Sequence, residues 1–73
     1  MKKISFDIVR RRYGRTAWFS WVYYRIGNAD TREEIREPWH RHTPPREEIR
    51  QAIAEEIGTD NFQLTHKPRK RRR

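Results

Sequence analysis

The chain has 73 residues, a formal net charge of +8, a hydrophobic fraction of 33% and no cysteine. That length allows one small domain, the missing thiols exclude disulfides and thiolate metal sites, and the core has to be drawn from the aromatics and a few isoleucines. Charge divides by segment into +6 over residues 1–29, −3 over 30–58 and +5 over 59–73, a layout that favours an anionic partner at the two ends.

Lys3 to Arg11 (KISFDIVRR) alternates Ile4, Phe6 and Ile8 with Ser5, Asp7 and Val9, the period of a half-buried strand. Asp7 and Arg10–Arg12 interrupt what would be the apolar region of a signal peptide after MKKIS, so no export signal is read. Glycine suits the positive φ of a tight turn, so Tyr13-Gly14 is the predicted hairpin turn. Residues 3–25 then read as one hairpin.

Its second strand, Thr16 to Arg25 (TAWFSWVYYR), is the centre of the chain. Ala17, Phe19, Trp21 and Tyr23 share one face; Trp18, Ser20, Val22 and Tyr24 share the other. Both faces are apolar and each needs cover. The run Ala17–Tyr24 is far shorter than the roughly 20 residues of a membrane helix, and the expectation is a cytoplasmic chain with no membrane partner.

Gly27-Asn28-Ala29-Asp30 ends the strand with turn formers. Asp30–Glu37 (DTREEIRE) has a helix-start signature, with Asp30 as N-cap and Glu33 three residues on. Ile35 is its one apolar anchor, so a short helix or an ordered turn is predicted. Trp39 is expected to fold back on the hairpin. His40, His42 and His66 offer three imidazoles but lack any metal-ligand spacing motif, and read as ordinary loop histidines.

Thr43–Gly58 (TPPREEIRQAIAEEIG) is the clearest element. Thr43 is the expected cap, Pro44 the first helical residue, and Glu47 and Glu48 suit the positive end of the dipole. Ile49, Ala52, Ile53 and Ile57 form a narrow apolar stripe ending at Gly58. That stripe is expected to roof Phe19, Trp21 and Tyr23, leaving Trp18, Val22 and Tyr24 with little cover beyond Trp39. Asn61–His66 (NFQLTH) is a short third strand expected beside the hairpin in antiparallel sense. Lys67–Arg73 (KPRKRRR) has no apolar residue and is expected to be disordered when free.

The expected fold class is therefore α+β. An aromatic β-hairpin and a short third strand pack on one amphipathic helix, forming a single domain over residues 1–66 followed by a disordered basic tail over 67–73. No catalytic motif is visible: there is no Cys nucleophile, glycine-rich phosphate loop, G-x-S-x-G elbow or H-E-x-x-H, and no cofactor is implied. The acids sit opposite arginines at helical spacing, as on a solvated helix face.

Binding is the remaining class. Arg10, Arg11, Arg12, Tyr13 and Arg15 ring the hairpin turn, and with Trp18, Val22 and Tyr24 they are the candidate partner-binding residues, since aromatics and arginine are favoured interface anchors. The same arginines equally serve to keep an aromatic hairpin soluble and its edges unpaired. Lys67, Arg69, Lys70, Arg71, Arg72 and Arg73 are candidate nucleic-acid contacts, salt-dependent and without sequence preference. Two hypotheses follow. One is a protein-docking regulator; the other is a basic RNA- or single-strand-binding module that uses aromatic and arginine contacts. A bare strand edge would favour the first.

The hairpin FDIVRRRYGRTAWFSWVYYR, the helix TPPREEIRQAIAEEIG and the KPRKRRR end together resemble the small transcription regulators that phage of Xanthomonas oryzae direct against host RNA polymerase. The resemblance spans the whole chain and rests on size, composition and layout. It implies a non-enzymatic protein that binds bacterial RNA polymerase, inhibits initiation and promotes antitermination. A monomer in the cytoplasm of an infected host is expected beside it, and the basic tail offers a possible nascent-RNA contact. It assigns no site residues.

Overall fold

Alternation in the first 26 residues produces two long antiparallel strands in the computed structural model, which describes residues 1–68. Strand β1 spans Lys2–Tyr13 and β2 spans Ala17–Ile26. They are joined by Gly14-Arg15-Thr16, with Gly14 at φ 78°. The turn therefore holds three residues and begins one position later than predicted. Tyr13 faces Ala17, Ile8 faces Val22 and Phe6 faces Tyr24.

That register decides the core. Opposed residues share a face in an antiparallel pair, so Ile4, Phe6 and Ile8 lie with Val22 and Tyr24. Helix α1 (Arg46–Ile57) covers this face with Ile49 and Ile53, which are 1% and 0% exposed. Ile35, Phe62 and Leu64 complete the buried cluster, with Trp39, Ala52 and Ile57 packed at its margin. The expected roofing is thus reversed: Val22 and Tyr24 are core, and Phe19, Trp21 and Tyr23 face away from the helix.

Asp30–Glu37 forms no helix. Glu33–Glu34 is a two-residue strand, β3, paired with β2, and the Ile35 N–H donates to the Val22 carbonyl at 2.8 Å. One anchor cannot offset helix nucleation, whereas the extended path delivers Ile35 to the core. Trp39–His40 forms β4 on the same edge of β2, so Trp39 does fold back on the hairpin.

Pro45, not Thr43, occupies the helix N-cap and supplies no side-chain bond; the Thr43 hydroxyl instead accepts from Arg10 at 2.9 Å. Gly58 ends the helix in the left-handed region at φ 83°, its N–H bonded to the Ala54 carbonyl at 2.9 Å. The chain then returns as β5, Phe62–His66, which pairs with β1 in parallel, not antiparallel. A helical crossover is the connection a parallel strand requires. Arg46 and Arg50 reach from the helix to the Leu64 and Phe62 carbonyls and fasten this strand.

Among the described residues the result is one helix on a mixed five-stranded sheet in the order β3-β2-β1-β5, with β4 also on β2, an α+β fold as expected. No helix among the described residues is long and apolar enough to cross a membrane.

Ser20 is fully buried in this core and its hydroxyl has no partner. An unsatisfied buried hydroxyl costs about 1–3 kcal/mol relative to a bonded one. Ser20→Ala is therefore expected to raise stability by about 1 kcal/mol, read as a higher urea midpoint. A lower midpoint would mean that the hydroxyl finds an acceptor.

Candidate functional site

Where β1 turns its backbone follows from two bonds. The Gly27 N–H donates to the Lys3 carbonyl at 2.7 Å, so Lys3 faces β2; the Lys67 N–H donates to the Phe6 carbonyl at 2.9 Å, so Phe6 faces β5. Direction alternates along a strand in an antiparallel ladder. Ile8, Arg10 and Arg12 consequently turn their N–H and C=O groups toward the β5 side. Strand β5 reaches only as far as Phe6, and among the described residues nothing pairs with Ile8–Tyr13 on that side. This is a bare sheet edge about six residues long.

The predicted partner residues divide around it. Arg10, Arg11, Arg12, Tyr13 and Arg15 are all exposed near the hairpin end. Trp18 is half-buried on the helix side, with the Arg10 guanidinium 5.0 Å from its ring centroid. Val22 and Tyr24, at 0% and 5% exposure, are unavailable to a partner and are corrected to core residues. The Tyr24 hydroxyl donates to Glu56 Oε1 at 3.0 Å, and burial, reinforced by that bond, pushes its pKa up to about 12. Lys67 is exposed, while Arg69, Lys70, Arg71, Arg72 and Arg73 lie outside the described residues.

The three histidines go to separate places. His40 stacks on Phe19 at 4.8 Å, His66 stacks on Phe6 at 4.7 Å, and His42 lies 3.5 Å from Glu48. No group of residues among those described has a metal-holding arrangement.

Sequence reasoning missed the opposite face of the hairpin. Tyr13, Phe19, Trp21 and Tyr23 form an aromatic row there, since odd-numbered positions share that side. Tyr13 meets Phe19 edge-on at 5.2 Å. Arg32 lies 4.4 Å and Arg11 5.7 Å from the Tyr23 ring centroid. The Tyr23 hydroxyl bonds Arg11 and donates to Glu34 at 2.7 Å; burial first, then this bond, raises its pKa. The helix lies on the other side, and cover here is partial: His40 of β4 stacks on Phe19, Tyr23 is 8% exposed beneath its arginines, and Trp21 is half-buried with its Nε1 enclosed. No local signal marks it, since TAWFSWVYYR is apolar on both faces.

No protein-family model matches the chain, and no curated protein or solved structure was found to be similar to it.

Proposed function

We propose that this chain is a non-enzymatic regulator that docks on bacterial RNA polymerase, inhibiting initiation and promoting antitermination, and that it acts as a monomer in the cytoplasm of an infected host. The observation that carries the docking is the bare edge Ile8–Tyr13. A partner strand laid along it gains directional main-chain bonds, and Arg10 and Arg12 beside it suit carboxylates on that strand. The choice of polymerase is supported by the resemblance of the hairpin, helix and basic end to phage regulators. Action is steric and electrostatic: the domain occupies a surface that sigma factor or RNA would otherwise use.

Arg12 provides the test. Its N–H points away from β2, so proline there removes an edge donor without breaking the hairpin ladder, a position where proline is tolerated. Arg12→Pro is expected to bind purified polymerase about tenfold more weakly than Arg12→Ser, the size of one lost bond of about 1.4 kcal/mol. The wild-type complex is expected to survive nuclease treatment. Equal binding by the two variants, or loss of the complex with nuclease, would overturn the reading.

A further inference from the structure

The aromatic row ends at a concavity of about 350 Å³ that the docking edge does not use. Ser5, Asp7, Tyr23, Arg25, Arg32 and Lys67 line it. Three cations there face one carboxylate, although they come from three separated parts of the chain. Arg25 closes β2, Arg32 precedes β3 and Lys67 follows β5; all three are exposed.

We infer that this face is a binding site for single-stranded nucleic acid, with a backbone phosphate in the concavity and bases on the aromatic row. Arg25, Arg32 and Lys67 supply the positive charge, and guanidinium forks match phosphate oxygens. Phe19 and Trp21 are half-buried: His40 stacks on one side of Phe19 and the Trp21 Nε1 is enclosed, so part of each ring is left for a base. Residues two apart on one strand stand about 7 Å apart, so the row meets an extended strand base by base. Tyr23 takes no base: Arg11 and Arg32 already lie against it, and it anchors the arginine that reaches the phosphate. A duplex keeps its ring faces stacked internally and cannot use such a row, whereas single strands present them. An acidic peptide would satisfy the cations but leave the aromatic row without a partner.

The site is independent of polymerase docking and is tested on the full chain alone. A labelled ten-nucleotide oligouridine is titrated by fluorescence anisotropy against wild type, Arg25→Glu/Lys67→Glu, Trp21→Leu and Arg12→Pro, with oligothymidine and a ten-base-pair duplex in parallel. The charge-reversed pair alters exposed residues only, so it retains the fold if Trp21→Leu does not. The expected result is at least tenfold weaker binding by the charge-reversed variant, with a shallower salt dependence. About tenfold weakening is expected for Trp21→Leu, and less than twofold change for Arg12→Pro. Oligouridine binding above oligothymidine assigns the site to RNA, and equal binding to single strands of either sugar.

Unchanged affinity in the charge-reversed variant would place the strand elsewhere and overturn the proposal. So would duplex binding as tight as single-strand binding, or displacement of the oligonucleotide by polyglutamate at equal charge concentration. Arg12→Pro failing on polymerase while keeping oligouridine separates this site from the docking edge.

Discussion

Ile53→Ala is expected to remove most of the domain's stability. Ile53 is 0% exposed at the middle of the helix stripe, packed in the cluster that joins β1, β2 and β5 to α1. Truncating a buried isoleucine costs about 2–5 kcal/mol, the lost transfer energy plus the cavity left behind. A single core in a chain this small rarely supplies more than about 3–5 kcal/mol. The cavity also lies between the helix and the sheet, where nothing but a few side chains joins the two layers. A fall in melting temperature of at least 10 °C is expected, since about 1 kcal/mol moves a domain of this size by about 4–8 °C. Gln51→Ala, exposed on the same helix, controls for propensity and should stay within about 0.5 kcal/mol of wild type. Thermal melts of both followed by circular dichroism decide the matter; an Ile53→Ala protein melting with the control would mean that this face of the helix is not against the sheet.

The helix stripe was legible because Ile49, Ile53 and Ile57 recur every four residues, close to the helical period, and Gly58 marks the end. So was the hairpin, whose first strand alternates cleanly. The facing of the second strand was not, and the length and place of the turn explain why. A two-residue Tyr13-Gly14 turn would oppose Arg12 to Arg15 and bring Phe19, Trp21 and Tyr23 over Ile8, Phe6 and Ile4. The observed loop opposes Tyr13 to Ala17 and gives those places to Val22, Tyr24 and Ile26. The register moves by three residues, and any odd slip exchanges the two faces of a strand; TAWFSWVYYR is apolar on both, so its own pattern offers no correction.

The same slip explains the candidate site. Arginines around the turn are visible as a run of charge, but Arg25, Arg32 and Lys67 are 7 and 35 residues apart in sequence and meet only through the sheet order. The parallel pairing of β5, which carries Lys67 beside Phe6, depends on the path of the helix. No local pattern in NFQLTH distinguishes parallel from antiparallel pairing.

Alkaline pH should destabilise the protein through Tyr24. Its hydroxyl is enclosed between sheet and helix and donates to Glu56 Oε1, while Glu56 Oε2 accepts the Arg36 N–H at 2.5 Å. One carboxylate thus ties β2, the segment after β3 and the helix together, and it requires a neutral phenol. Desolvation, the bond to Glu56 and the negative charges of Glu56 and Glu33 all disfavour the phenolate, placing the folded pKa at about 12 against an ordinary value of 10.0. The folded state therefore holds its proton where the unfolded chain releases it. Stability from this group is complete below about pH 10 and is lost as pH rises toward about 12. Two units correspond to about 3 kcal/mol, comparable to the whole stability of so small a core. Tyr23, raised by burial and Glu34, acts in the same direction. Tyr24→Phe should lose about 1 kcal/mol at pH 8 with the hydrogen bond, yet fall much less between pH 10 and 12, so that the two stability curves converge and then cross. Urea unfolding of both proteins at pH 8, 10, 11 and 12 reads this directly, with Tyr23→Phe measured alongside. If Tyr24→Phe keeps the full wild-type decline while Tyr23→Phe flattens it, the linkage belongs to the arginine-bracketed tyrosine on the face away from the helix and not to the one beneath it.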